Sequence, residues 1–312
     1  MIMDVCHTSS DPTVVAVVVT YQPKLALLAQ QLTKLQPQVQ AIVLVDNGSS
    51  TDLPAWIRHS AHSAIQVLAL GQNFGIACAQ NHGIAWAKEQ GASHVLLMDQ
   101  DSQPASDMVP ALLQGLLQHP EAGAVGPWYA DPRRGTASSP FVRIQGLRRR
   151  RLHCSAAQEV LMVDHLIASG CLIPVHVLDQ VGDMREDFFI DFVDVEWCLR
   201  ARHAGYSVYG VCSARLEHQL GDSPVHFLGR EYLSHAPERH YFHVRNALLT
   251  YREPWVPMNW KLVSAWRLLL KMGFHVLVTA PRRRHLGQIL KGLMDGLRGR
   301  AGPRGSKQDP VC

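Results

Sequence analysis

Two acids one residue apart, Asp99 and Asp101, close the apolar run Val95-Leu96-Leu97-Met98. A buried strand that delivers acid to the mouth of a sheet has this form. Two carboxylates held close together stay ionised only with a cation between them or water around them. Their hard oxygens suit Mg2+ or Mn2+, and those ions suit a diphosphate. The pair therefore points to chemistry on a nucleotide-linked substrate, with a solvated turn as the plainer alternative. Downstream, Asp191, Asp194 and Glu196 crowd three carboxylates into six residues. Crowding and partial burial raise carboxyl pKa values, which makes a better general base near neutral pH. The plainer role for Asp194 is to offset the positive end of a helix that begins there. Glu196, two positions on, points elsewhere on such a helix.

These acids need a scaffold. Continuous apolar runs at residues 14–19, 41–45, 65–69 and 94–98 fit strands buried on both faces. Helical stretches fall between and after them, from Pro23 to about Gln36 and at about 54–62, 77–90 and 106–118. Alternation of this kind predicts an α/β fold, a mostly parallel sheet flanked by helices. Ligands of such sheets bind beyond the carboxyl ends of the strands, so Thr20, Tyr21, Asp46 and Asp99 should line one crevice. The second part is less regular. Residues 127–158 read as a long loop whose four-arginine run, Arg148–Arg151, is a solvated surface or a phosphate grip. Strands are expected at 160–167 and 171–173, bracketing Ala168-Ser169-Gly170. A helix is expected at 194–204, with short strands at 207–211 and 214–217 ending at His218. The chain after about Pro224 reads as mainly helical. The expected organisation is a leader (1–12), a catalytic domain (13–225, divided near 126) and a basic helical extension (226–312).

Apolar residues make up 47% of the 312 and charged residues 18%, which fits a globular protein. Residues 1–254 hold 19 Lys+Arg against 24 Asp+Glu, whereas residues 255–312 hold 11 against 2. A basic tail suits an anionic partner. Within it, residues 262–280 are apolar but interrupted by Arg267, Lys271 and His275 at a spacing of four, which puts the three on one helical face. With Trp255, Trp260 and Trp266, this suits a helix lying in a membrane interface rather than spanning it. Arg282–Arg284 add attraction to anionic lipid. The alternative is a helix packed on the domain with its cations in water. No nucleic-acid motif accompanies the tail, so no nucleic-acid partner is expected. The seven cysteines are scattered without a Cys-x-x-Cys pair, which favours reduced thiols in the cytosol over a zinc cluster or a disulfide framework. No secretory signal is apparent.

Several segments in order resemble the inverting glycosyltransferases of family 2. They are Val45-Asp46-Asn47-Gly48-Ser49, then Asn73-Phe74-Gly75-Ile76-Ala77-Cys78-Ala79-Gln80-Asn81-His82-Gly83, then Met98-Asp99-Gln100-Asp101, then Ala168-Ser169-Gly170, then Phe189 to Arg200 with its acids. Tyr241 to Asn246 and Lys291 to Arg300 look most like bacterial rhamnosyltransferases that build cell-surface polysaccharide. The resemblance implies a GT-A fold with a C-terminal helical extension. It implies that Asp46 accepts a hydrogen bond from the base and that Thr20 and Tyr21 shape the base pocket. Asn73 and Gly75 would let the chain turn close to the nucleotide. Asp101 would bind Mg2+ or Mn2+, with Asp99 on the metal or the ribose and His218 as a third ligand. Asp194 would be the catalytic base, with Asp191 orienting the acceptor. Asp46, Asn73 and Gly75 also suit tight turns and nothing more, and His218 is one of 17 histidines.

The implied reaction moves a sugar, L-rhamnose from dTDP-L-rhamnose, onto a lipid-linked or growing surface glycan. The implied place is the cytoplasmic face of a bacterial inner membrane. A sugar nucleotide needs no strong general acid, because the metal serves the leaving group; a glycoside hydrolase does need one. Two other readings stay open. A metal-dependent nucleotidyltransferase needs the Asp pair but not Asp194, and a non-catalytic membrane-associated scaffold would bind nucleotide without turnover.

Overall fold

The computed structural model describes residues 12–131, 140–155, 159–218, 224–227, 230–233 and 236–303. Five valines in Val14–Thr20 (β1) stiffen that strand, and all seven of its residues are buried. It sits between Ala41–Asp46 (β2) and His94–Asp99 (β4), parallel to both, and Gln66–Ala69 (β3) extends the sheet beyond β2. Alternate residues face opposite layers. Val15, Val17 and Val19 join one buried cluster and Val14, Ala16 and Val18 the other. Helices Leu25–Leu35 (α1), Leu53–Arg58 (α2) and Ile76–Glu89 (α3) link the parallel strands. The parallel register puts Thr20 beside Asp46 and Val19 beside Asp99, so three strand ends reach one edge together.

The second half of the sheet is mixed. It contains Ser102–Pro104 (β5), Ala122–Ala130 (β6), Val160–Met162 (β9), Cys171–Pro174 (β10) and Ser207–His218 (β11); between β6 and β9, Val142–Gln145 (β7) and Arg148–Arg151 (β8) pair as a separate hairpin. The strand order is β3-β2-β1-β4-β10-β6-β11-β5, with β9 on β11. β10 runs antiparallel to β4 and β6, and β11 antiparallel to β5 and β9. The remaining helices are Met108–Gln118 (α4), Val175–Val181 (α5), Val193–His203 (α6), Pro237–Arg252 (α7), Met258–Val278 (α8) and Arg282–Arg298 (α9). A second hairpin, Pro224–Phe227 (β12) with Arg230–Leu233 (β13), precedes α7.

Five expectations are corrected. The loop expected at 127–158 holds the end of β6 and the β7–β8 hairpin, because the backbone of the arginine run pairs with Val142–Gln145; Arg148, Arg150 and Arg151 are exposed, as a solvated surface requires. The two short strands expected at 207–217 are one strand with a register shift between Val211 and Arg215. The thiols are not all reduced: Cys154 and Cys212 form a disulfide across 58 positions, and Cys78 is disulfide-bonded as well. Pairing of Val160 with Val211 brings these distant segments together, which spacing alone cannot reveal. Cys171 and Cys198 are free and buried. The cation stripe of α8 does not lie in an interface along its whole length either. His275 is buried among α7 and α9, while Leu262, Trp266, Leu269, Leu270 and Leu277 are each more than half exposed. Nor do the three tryptophans form a belt, since Trp260 is buried beside Leu199 and Val256.

Among the described residues no helix is long and apolar enough to cross a membrane. α7 and α9 approach closely because Gly292 and Gly296 lack side chains. A Cβ on Gly292 would meet the Tyr241 carbonyl at 2.4 Å.

Candidate active site

The strand ends open into a cleft of about 440 Å3. Its floor is built by hydrogen bonds between loops. The Gln100 side chain accepts from the Tyr21 amide (2.8 Å) and donates to the Tyr21 carbonyl (3.0 Å), which ties the β1 and β4 ends together. The buried Gln31 amide donates to the Asp99 and Ser102 carbonyls at 2.6 and 2.8 Å, which fixes the Asp-Gln-Asp turn from beneath.

Asp99 and Asp101 meet His218, which ends β11. One ligand atom from each lies within 4.8 Å of the others. His218 Nε2 is 3.6 Å from Asp99 and Nδ1 is 3.6 Å from Asp101. Nδ1 also stands 2.7 Å from Ser102 Oγ, and Ser169 Oγ donates to Ser102 Oγ at 2.6 Å. Burial pushes the Asp99 carboxyl up, His218 draws it down, and the Asp101 charge pushes it up again. Two acids and an imidazole held this close form a donor set for a divalent cation, which would relieve the repulsion between the acids.

Across the cleft stands Asp194, at the second position of α6. Its Oδ1 accepts from the Val195 amide at 2.8 Å, and Phe192 rather than Asp194 occupies the cap. Burial, with Asp191 and Asp99 nearby, pushes its carboxyl up to about 6, against the pull of the Val195 amide. That value suits a general base working near neutrality. Asp191 is different. Arg239 donates to it from Nε and Nη2 at 3.0–3.1 Å, and His243 lies 3.9 Å away. Burial alone would raise the Asp191 carboxyl, but His243 and the Arg239 guanidinium outweigh it and hold it well below the usual range. Asp191 is thus held charged and anchored, whereas burial pushes the Asp194 carboxyl toward its neutral form.

The backbone between them is strained. Phe189, Asp191 and Phe192 all have positive φ, between 63° and 67°. Residues held there cost of order 1–3 kcal/mol each and persist only when the surroundings impose them. Asn246 on α7 imposes this turn, donating to the Phe188, Ile190 and Asp191 carbonyls at 2.8 Å each. Its neighbour Arg245 donates to the Asp187 and Phe188 carbonyls. From the other side the Ile76 amide donates to the Phe189 carbonyl at 2.7 Å. Gly75 permits this approach: its φ is +93°, and a Cβ there would stand 2.6 Å from that carbonyl oxygen.

Of the residues singled out from sequence, Tyr21, Asn73, Gly75, Asp99, Asp101, Asp191, Asp194 and His218 line the cleft. Thr20 and Asp46 lie beneath it. Asp46 accepts from the Ser49 hydroxyl at 2.5 Å and from the Ser49 amide, and Thr20 donates to it at 3.3 Å. Asn47 faces the cleft in their place and donates to Asn73 at 3.1 Å. Glu196 turns away and pairs with Arg200. Sequence reasoning missed Arg239 and Asn246 as functional residues.

The sequence model of the family described as Glycosyl transferase family 2 matches residues 15–172. This chain is a family 2 glycosyltransferase. Among curated proteins it is 32% identical over 292 residues to the dTDP-rhamnosyl transferase RfbF of Shigella flexneri, covering 92% of this chain and 96% of that one. It is 27% identical over 311 residues to the N-acetylglucosaminyl-diphospho-decaprenol L-rhamnosyltransferase of Mycobacterium tuberculosis, covering 91% and 97%. Similar folds include S. aureus TarS 1-349 in complex with UDP-GlcNAc (TM-score 0.55, 15% identity, 92% of this chain and 81% of that one). GalNAc-T7 with UDP, GalNAc and Mn2+ is another (TM-score 0.55, 12% identity, 86% and 58%). The glycosyltransferase thus has the GT-A fold, with its acidic pair at the end of β4 and three helices added at the C-terminus.

Proposed function

We propose that this glycosyltransferase moves L-rhamnose from dTDP-L-rhamnose to a hydroxyl of a lipid-linked or growing surface glycan, with inversion. The observation that carries the reading is the sharing of one cleft by Asp194 and the Asp99–Asp101–His218 group. The donor sugar is taken from the names of the two curated relatives.

The residues divide the work. Asp99, Asp101 and His218 would hold Mg2+ or Mn2+, which as a Lewis acid neutralises charge on the departing diphosphate. Tyr21, Asn47 and Asn73 bound the nucleotide end of the cleft. Asp194 accepts the proton of the acceptor hydroxyl as that oxygen attacks the anomeric carbon from the face opposite the diphosphate. Asp191, locked to Arg239, holds the turn that aims Asp194. The exposed apolar face of α8 and the basic α9 fit contact with the cytoplasmic face of an anionic inner membrane.

The test is stabilisation of the purified protein by dTDP, UDP and GDP, each with and without Mn2+, followed by transfer from dTDP-L-rhamnose. Metal-dependent preference for dTDP supports the reading. Preference for another nucleotide, or no stabilisation by any, removes it. A nucleotidyltransferase would keep its activity in Asp194→Asn, whereas a transferase using Asp194 as base loses it.

A further inference from the structure

Gln80 lies on α3 and is only 3% exposed. Its Oε1 is buried with no hydrogen-bond donor among the described residues. Such an oxygen is costly, because folding strips water from it and gives nothing back. Other buried polar atoms share this condition, but among the residues that carry them only Gln80 lines the cleft. The helix itself puts it there. α3 starts against the acidic turn, with the Ile76 amide on the Phe189 carbonyl, and Gln80 follows Ile76 by one turn on the same face.

Gln80 and Asp194 also share a small cavity of about 10 Å3 that adjoins the cleft. Leu97, two residues before Asp99 on β4, is in its wall, so Gln80 stands between the acidic pair and the base. The cavity is no larger than one water needs, and apolar Leu97, Leu166, Ile173 and Trp197 wall it, so the missing donor is expected from the cleft side. A sugar nucleotide offers few donors. Its diphosphate carries acceptors, and its base and ribose belong with Tyr21, Asn47 and Asn73. The transferred sugar is different. Bonded to the diphosphate and facing Asp194 across the reacting carbon, it has to occupy this gap, and its hydroxyls can donate.

We propose that Gln80 Oε1 accepts a hydrogen bond from a hydroxyl of the transferred sugar and so selects among donor sugars. The proposal rests on the transferase reading and adds a specificity-determining residue to it. A site with a buried acceptor rejects a sugar that lacks the matching hydroxyl, because the oxygen is then left unpaired. The same unpaired oxygen weighs on the empty protein, so an apolar side chain of like shape should hold the fold as well or better.

The test compares kcat/KM for dTDP-L-rhamnose and its 2-, 3- and 4-deoxy forms, with Mn2+, in wild type, Gln80→Met and Gln80→Leu. Wild type should lose about 10–100-fold on one of the three deoxy donors. Both variants should lose about as much on dTDP-L-rhamnose itself, shrink that one penalty to about threefold or less, and leave the other two unchanged. Their dTDP affinity and acceptor KM should match wild type, and their thermal midpoints should equal or exceed it. A wild type indifferent to all three deoxy donors overturns the proposal, as does a penalty that both variants keep. A loss seen as a raised acceptor KM gives the oxygen to an acceptor hydroxyl instead, and equal weakening of dTDP and dTDP-L-rhamnose binding leaves Gln80 a packing role; either result also overturns it. Failure of the donor reading is seen separately, as a wild type that turns over another nucleotide sugar but not dTDP-L-rhamnose; deoxy forms of that sugar then decide the role of Gln80.

Discussion

Ser102 Oγ stands 2.7 Å from His218 Nδ1, so the ring's other nitrogen, Nε2, is the one left beside Asp99. A partner on the far nitrogen fixes the tautomer and orientation of a metal-ligating histidine. Ser102→Ala should therefore weaken Mn2+ binding about 10–100-fold. Metal titration followed by the electron paramagnetic resonance signal of free Mn2+ would measure this, with thermal stability changing by only about 1 kcal/mol. Unchanged Mn2+ affinity would show that the serine does not orient the ring.

Asp194 acts only when deprotonated. Its carboxyl is pushed up to about 6, chiefly by burial. The rate at saturating substrates should fall with an acid limb near that pH and plateau above it. Asp194→Asn should lower the plateau by about 10²–10⁴ and abolish the limb, while dTDP still binds.

Asn246 supplies one side-chain amide to three carbonyls of a strained turn. Asn246→Ala removes the side-chain donor from the Ile190 and Asp191 carbonyls, leaving the Phe188 carbonyl to Arg245, and releases Asp191 and Phe192 from their positive φ. A loss of about 2–3 kcal/mol in a denaturant titration is expected, together with a fall in turnover greater than the fall in nucleotide affinity. Equal falls would mean that the turn does not aim the base.

Three buried histidines, His240, His275 and His285, stack where α7, α8 and α9 meet, with ring centroids 4.4–5.9 Å apart. Burial, with the neighbouring cations, holds His240 down at about 3 and His275 at about 4. The unfolded chain therefore binds more protons than the folded one between those values and about 6.5. Stability should be full above about pH 6.5 and fall as acid is added, and His240→Gln should flatten that fall. Amide hydrogen exchange would be expected to rise first in α8 and α9.

The strands of the nucleotide half were readable because β-branched runs ending at acids have one good solution, a sheet buried on both faces. Asp99 and Asp101 followed from where the fourth of those strands stops, whereas His218, at the end of β11, followed only from the family resemblance. Asp46 and Thr20 were harder, since an Asp-Asn-Gly-Ser turn and a nucleotide contact ask for the same residue types, and the observed geometry takes up the turn. Arg239, His243 and Asn246 recur at helical spacing and so mark one polar face of α7. No local pattern says that this face serves an acid about fifty positions upstream. The Cys154–Cys212 bond and the inward turn of His275 were invisible for the same reason: each depends on which distant segments pair.

The grip of α7 on residues 187–191 makes the tail a working part rather than an appendage. A protein cut short near residue 225 would keep its metal ligands but lose the brace behind its base, and should hold nucleotide without transferring sugar. Chimaeras between relatives would meet the same constraint: a foreign tail has to arrive with its own acidic turn, or the two halves will not mesh.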